Sequence, residues 1–214
     1  LKSVSASFDE DPLRVLRVAR FASKLKFLDF KIEKKTLELM KKISSSGEIE
    51  TLSKERVWME TYKALSTRNP EEYFSILLKV GALEKICQSM NLNLNALEKT
   101  SSDNQDYAIK WSVLIAENEN IEEINNSFNA PKEFSEISEI CSQINLFSSK
   151  KISPESLIDL TNKCDLLRKP ERFYKASKAS SYIIESSIKP EKWMEIYDQL
   201  NDVRVDKTLR EGKL

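Results

Sequence analysis

Two side chains of opposite hydrogen-bonding polarity, Asp11 and Arg14, lie three residues apart near the start of the chain. Residues three apart share one face of a helix, so this pair presents acceptors beside donors. Cytosine and adenine each carry an amino donor beside an unprotonated ring nitrogen, which the pair can satisfy, whereas uracil and guanine reverse both polarities. The alternative is a helix cap beside a surface ion pair, since aspartate before proline is common at a helix start. The spacing leaves both interpretations open.

Three further residues extend this first candidate site. Glu10 is placed to hold the guanidinium of Arg14 in its plane. Arg17 and Arg20 follow Arg14 at intervals of three residues. This row of arginines predicts contacts to triphosphate or RNA phosphates. The alternative is a basic helix face on which the aliphatic parts of the arginine side chains cover apolar surface.

A second cluster, Glu55, Arg56 and Glu60, follows a serine that can begin a helix. Arg56 and Glu60 are four apart and can pair with each other while they lock a neighbouring helix. We therefore predict structural support, without a role in chemistry. The nearby aromatic side chains Trp58, Tyr62, Tyr73 and Phe74 are spaced like a core stripe.

Composition excludes several kinds of chemistry. The 214 residues include no histidine, so the commonest general base and metal ligand are missing. Only three glycines occur, and they form no phosphate-wrapping loop. Asp9-Glu10-Asp11 has the spacing of a metal-binding carboxylate pair, but it directly precedes a helix start, and we predict no metal there. Lysine plus arginine equal aspartate plus glutamate at 34 each, so any RNA contact must be a local patch.

The positioning elements are predicted to be helices throughout, an all-α fold. Leucine, isoleucine, lysine and glutamate recur at i, i+3 and i+4, and few residues break the pattern. The first helix is predicted to begin at Asp11-Pro12, with an apolar side formed by Leu13, Leu16, Val18, Ala19 and Phe21. The second is predicted over residues 33–43, the third after Ser53, and the fourth is interrupted near Gly81; later breaks are expected at Pro131, Pro154, Pro170 and Pro190.

Asparagine and serine become frequent after residue 87, which predicts a domain boundary and two units, residues 1–88 and 89–214.

The three cysteines are odd in number and scattered, which is typical of buried thiols in a reducing cytoplasm. The first residues contain neither an initiator methionine nor a hydrophobic signal core, so we expect the chain to start inside a longer protein.

The motifs together resemble one family, the bacterial class II tRNA nucleotidyltransferases that build the CCA end. Glu10, Asp11 and Arg14 match its EDxxR motif, with the RFA of residues 20–22 after it, and Glu55, Arg56 and Glu60 match its ERxxxE motif. The segment LRKPERF at residues 167–173 resembles its later helical domain.

The resemblance implies a nucleotide-selecting neck followed by a helical body and tail that hold tRNA. It further implies that CTP and ATP are selected by Asp11 and Arg14. Transfer would be performed by an N-terminal head of the same protein, which would bind Mg²⁺; this chain lacks the motifs of that head, so we expect no cofactor and no transfer activity in the chain alone. No membrane association is expected.

Some relatives also carry a phosphohydrolase domain with a His-Asp metal pair. The stretch KWSVLIAEN resembles its remnant, with Ala116 and Glu117 at the expected metal-pair positions, which predicts that this activity is absent. Two alternatives remain: a bacterial poly(A) polymerase fragment, which shares the first helix, and a head-less helical module that only binds RNA or a protein.

Overall fold

The computed structural model describes residues 11–210, with side chains described for residues 11–203. Within this range the fold is all-α, as predicted, with no strand. The described residues form twelve α-helices and two short 3₁₀ turns, Lys26–Leu28 and Glu48–Thr51. The α-helices are α1 Leu13–Leu25, α2 Lys34–Ser45, α3 Lys54–Leu65, α4 Pro70–Lys79, α5 Ala82–Ile86, α6 Leu94–Ser102, α7 Tyr107–Ile115, α8 Ile121–Phe128, α9 Lys132–Ser148, α10 Pro154–Lys163, α11 Pro170–Ser181 and α12 Pro190–Arg210.

Helix α1 begins as its sequence predicts. The Asp11 carboxylate accepts a hydrogen bond from the Leu13 backbone N–H at 3.1 Å, which satisfies one of the donors that a helix start leaves open. Leu13, Leu16 and Ala19 are buried as expected. Phe21 is not: the prediction that it joins the core is wrong, because 43% of it is exposed and Ala22 takes the buried position.

Helix α1 packs against α3 and α4, so its buried side faces the first half of the core. Tyr73 and Phe74 on α4 are fully buried, and Trp58 on α3 is nearly so, as predicted. Tyr62 is half-exposed instead, because its ring lies at the edge of the aromatic cluster, in contact with Tyr107 and Phe134.

The predicted breaks are confirmed, with small shifts. Helix α2 continues two residues beyond the predicted end because the Ser44 and Ser45 hydroxyls donate to backbone carbonyls of their own helix at 2.9 Å. Gly81 separates α4 from α5 with φ of 75°, a conformation that glycine adopts without steric cost. Pro131, Pro154, Pro170 and Pro190 each stand at or next to a helix start.

The second half of the chain is built on α7, α9 and α11, which pack against one another. Helix α7 is buried on every side, because α6, α9 and α11 all pack against it. Helices α6 and α8 were not predicted, because their sequences are rich in the turn-forming asparagine.

Candidate functional site

Asp11 is held from two sides at the start of α1. Besides capping the helix, its two carboxylate oxygens accept hydrogen bonds from Nη2 of Arg56 on α3, at 3.1 and 3.2 Å. Asp11 is half-buried and Arg56 is exposed. An aspartate fixed by both a cap and an arginine keeps one orientation, while lone pairs remain on the carboxylate for a further donor.

Glu60 forms the second contact between α3 and α1. Its side chain is 4% exposed, and one oxygen accepts a hydrogen bond from Nε of Arg20 at 2.6 Å. The other oxygen lies 3.8 Å from Nε of Arg17 and 3.6 Å from Nζ of Lys63. A buried carboxylate facing three cations is fully compensated, so Glu60 fixes the position of the arginine row on α1.

The expected pairing of Arg56 with Glu60 is wrong. The two side chains lie on one helix at suitable spacing, but Arg56 pairs with Asp11 and Glu60 pairs with Arg20. The physical reason is that α3 packs against α1, which brings stronger partners to each charge than their own helix offers. Glu55, the remaining residue of the cluster, is exposed.

The predicted site residues differ in how far their side chains are exposed to solvent. Arg14 is half-buried, Arg17 is about half exposed at 49%, and Arg20 is mostly covered at 17%. Glu10 lies outside the described residues. The structure therefore places Asp11 just before α1 and Arg14, Arg17 and Arg20 on it, and it anchors this part of the chain to Arg56 and Glu60 on α3.

The ionic contacts of two lysines near this site were not predicted. Nζ of Lys26, just after α1, lies 3.0 Å from Glu71 and 3.1 Å from Glu72, at the start of α4. Lys63 adds to the cations around Glu60. The partners of Lys26 are distant in sequence, so no local pattern indicates them, whereas Lys63 and Glu60 are three residues apart on α3.

Elsewhere, the described residues contain no group of His, Cys, Asp and Glu side chains that could hold a metal ion. Asp9 and Glu10 of the metal-like spacing lie outside this range. In the predicted phosphohydrolase remnant, Ala116 is buried and the Glu117 carboxylate accepts a hydrogen bond from Nδ2 of Asn93 at 2.7 Å. Within the part of the chain that the structure describes, no helix is long and apolar enough to cross a membrane.

The cysteines are buried, free thiols, as predicted. Burial raises the pKa of Cys141 to about 12 and that of Cys164 to about 11. Such thiols stay protonated near neutral pH and are poor nucleophiles. We assign them to the core.

A family model described as the probable RNA- and SrmB-binding site of polymerase A matches residues 29–92, from just after α1 to just before α6. No solved structure matches the chain significantly.

Curated relatives narrow the family further. A CCA-adding enzyme of Pseudomonas entomophila is 34% identical over 188 residues, covering 81% of this chain and 50% of the relative. One from Actinobacillus succinogenes is 63% identical over 83 residues, 39% of this chain and 21% of the relative. A multifunctional CCA protein of Mannheimia succiniciproducens is 32% identical over 220 residues, covering 81% of this chain and 52% of the relative.

The chain is therefore a relative of the bacterial CCA-adding enzymes, which confirms the resemblance seen in its motifs. It spans about half the length of the curated relatives that it matches over most of its own length.

Proposed function

We propose that this chain is the helical part of a CCA-adding tRNA nucleotidyltransferase. In this proposal Asp11 and Arg14 select CTP and ATP, and the remaining helices hold tRNA. A head domain outside this chain binds Mg²⁺ and transfers the nucleotide, so the chain alone transfers none.

The observation that carries the proposal is the fixed carboxylate of Asp11 at the start of a basic helix. Arg56 and the Leu13 N–H hold that carboxylate, and Arg14 follows one turn later. An acceptor that cannot turn away discriminates between bases better than a mobile one, because a mismatched base leaves a polar group unpaired.

The match to an RNA-binding-site model and the names of the relatives support tRNA as the partner. The cytosine and adenine edges suit an acceptor beside a donor, and these are the two bases that a CCA end contains. Composition adds nothing to this argument, because the net charge of the chain is zero.

Nucleotide choice in the complete enzyme tests the proposal. Asparagine caps helices about as well as aspartate, so Asp11→Asn preserves the cap but places an amino donor where an acceptor is required. We expect the preference for CTP and ATP over UTP and GTP to fall by roughly 5- to 150-fold, the equivalent of about 1–3 kcal/mol for a base contact. Arg14→Ala should act in the same direction.

The measurement is kcat/KM for each nucleotide on two acceptors, a tRNA that lacks its CCA end and therefore takes C first, and a tRNA that ends in CC and therefore takes A. Arg17→Ala is the matched control: it removes a neighbouring cation from the same helix and should weaken all four nucleotides alike. If the ratios of kcat/KM between nucleotides are unchanged in both Asp11→Asn and Arg14→Ala, the two residues serve only as a helix cap and a surface ion pair, and the proposed selection of bases is wrong.

A poly(A) polymerase remains the second candidate, because the matching family model is described by a polymerase A site. The lengths of the products formed in the same reactions separate the two enzymes. A CCA-adding enzyme stops after three nucleotides on tRNA, whereas a poly(A) polymerase extends RNA with ATP alone.

A further inference from the structure

One face of α1 exposes cations and an aromatic ring. The helix carries three arginines and one lysine and no carboxylate. With 3.6 residues per turn, Arg14, Arg17, Phe21 and Lys24 fall within an arc of about 80° around its axis. Arg17, Phe21 and Lys24 are exposed. We call these three residues the α1 strip.

Phe21 is held in its exposed position from behind. The guanidinium carbon of Arg20 lies 4.5 Å from the centroid of its ring, within the distance of a cation–π contact. Arg20 is in turn fixed by the 2.6 Å hydrogen bond to buried Glu60. The ring therefore rests on a rigid support.

A single exposed phenylalanine is ordinary on a protein surface, so the surroundings must decide its role. Arg17 and Lys24 flank the ring one turn away on either side, and no acidic residue lies on the helix. A row of cations with an aromatic ring between them matches single-stranded nucleic acid, in which phosphates alternate with flat bases. An apolar protein partner would have to remove Arg17 and Lys24 from water without offering a new opposite charge in exchange.

We propose that the α1 strip binds the single-stranded 3′ end of the RNA, with a base stacked on Phe21 and phosphates at Arg17 and Lys24. Glu60 and Arg20 act as positioning residues for the ring. Arg14 and Phe21 are about 10 Å apart along the axis, or about three base steps. A strand that ends beside Asp11 and Arg14 can therefore reach the ring. The inference rests on the proposed function, because it requires that the chain bind tRNA.

Binding of the 214-residue chain to fluorescein-labelled tRNA that carries its single-stranded CCA end, followed by anisotropy at low salt, tests the strip. Phe21→Leu preserves an apolar side chain and removes the flat ring. Base–aromatic stacking contributes about 1–3 kcal/mol, so we expect affinity to fall roughly 5- to 150-fold. Phe27→Leu is the matched control: this phenylalanine is 56% exposed but lies beyond α1, and we expect unchanged affinity.

A second variant reports stacking directly. The native tryptophans Trp58, Trp111 and Trp193 are buried. In Phe21→Trp the introduced indole is therefore the tryptophan that a bound base can reach and whose fluorescence it can quench. We expect near-native affinity and quenching of that fluorescence by the bound tRNA.

The outcomes separate this inference from the proposed function. If the native chain and Phe21→Leu bind tRNA equally, the strip is wrong, Phe21 is left as an apolar contact for protein, and the proposed function stands. If Phe21→Trp binds without quenching, stacking is also wrong. If the native chain binds no tRNA at all, the proposed function and the strip both fail.

Discussion

The charged residues of the site show what a local sequence pattern can and cannot determine. The cap at Asp11 follows from an aspartate before a proline, and the structure confirms it. The partners of Arg56 and Glu60 do not follow, because each has a suitably spaced neighbour on its own helix but pairs with Asp11, just before α1, or with Arg20 on α1. Choosing between them requires knowing that α3 packs against α1, which no spacing within α3 encodes.

Glu60 should stabilise the fold through this contact. In Glu60→Gln the side chain keeps its size, but Arg20, Arg17 and Lys63 lose the charge that they face. Solvent screens the two more exposed cations, so we expect a loss of about 1–3 kcal/mol, mainly from the covered Arg20. Urea unfolding followed by circular dichroism measures it.

Glu55→Gln provides the matched control, since it removes the same charge from an exposed position on the same helix. Its free energy of unfolding should stay within about 0.5 kcal/mol of the native value. Equal effects of the two changes would mean that the ion pairs at Glu60 contribute no more than general charge.

At the scale of elements, most helices could be predicted because prolines, glycines and apolar periodicity mark them. Helices α6 and α8 were not predicted, because asparagine by itself favours turns over helices. In the fold these asparagines have specific partners. The Asn93 side chain caps α6 by accepting from Ala96 N–H at 2.9 Å, and Asn118 bonds the backbone of Asn91 at 2.8 Å in both directions.

Asn125 illustrates why such a helix depends on its tertiary contacts. It is buried on α8, where its side chain accepts from Trp111 Nε1 at 2.8 Å and donates to the Ser138 hydroxyl at 2.9 Å. Asn125→Ala leaves a buried indole N–H without an acceptor, and we expect a loss of about 2–3 kcal/mol.

Thermal or urea unfolding of Asn125→Ala beside Asn126→Ala checks this expectation. Asn126 is the exposed neighbour on the same helix, so its substitution should change stability little or raise helix propensity slightly. A similar loss in both variants would show that helix propensity, not the buried bridge, accounts for the effect.

Across the whole molecule, one core joins the two predicted units, residues 1–88 and 89–214. Trp58 of α3 lies 5.4 Å from the ring of Trp111 and 5.0 Å from that of Phe134. Nζ of buried Lys110 donates to the Leu65 carbonyl at 3.3 Å. The domain boundary remains a prediction. The sequence could not indicate this junction, since aromatic residues far apart in the chain reveal their contacts only once the helices are packed.

Buried titratable groups in this core predict weaker stability at alkaline pH. Burial raises the pKa of Cys141 to about 12 and that of Cys164 to about 11, against an ordinary value of 9.0. It also raises the pKa of Tyr73 above its ordinary 10.0. The unfolded chain releases these protons first, so their contribution to stability is complete below pH 9 and is lost as the pH rises through the folded values.

Burial also lowers the pKa of Lys110 below its ordinary 10.5, and this opposes the trend. In the interval between its folded pKa and 10.5 the unfolded chain holds the extra proton, so Lys110 adds stability as the pH rises. Each group changes the free energy of unfolding by about 1.4 kcal/mol per pH unit within its interval. Because several buried groups lose stability as the pH rises above 9 and Lys110 alone among those named opposes them, we expect a net loss of stability at alkaline pH.

Urea unfolding in a reducing buffer from pH 8 to 11 measures this slope. Cys141→Ala should lower stability at neutral pH, because it removes a buried group, and should flatten the alkaline slope by up to about 1.4 kcal/mol per unit. Lys110→Met should steepen the slope, because it removes the opposing contribution. Parallel curves for the native chain and Cys141→Ala would show that this thiol does not titrate on unfolding, and the alkaline loss would then have to come from Cys164 and Tyr73.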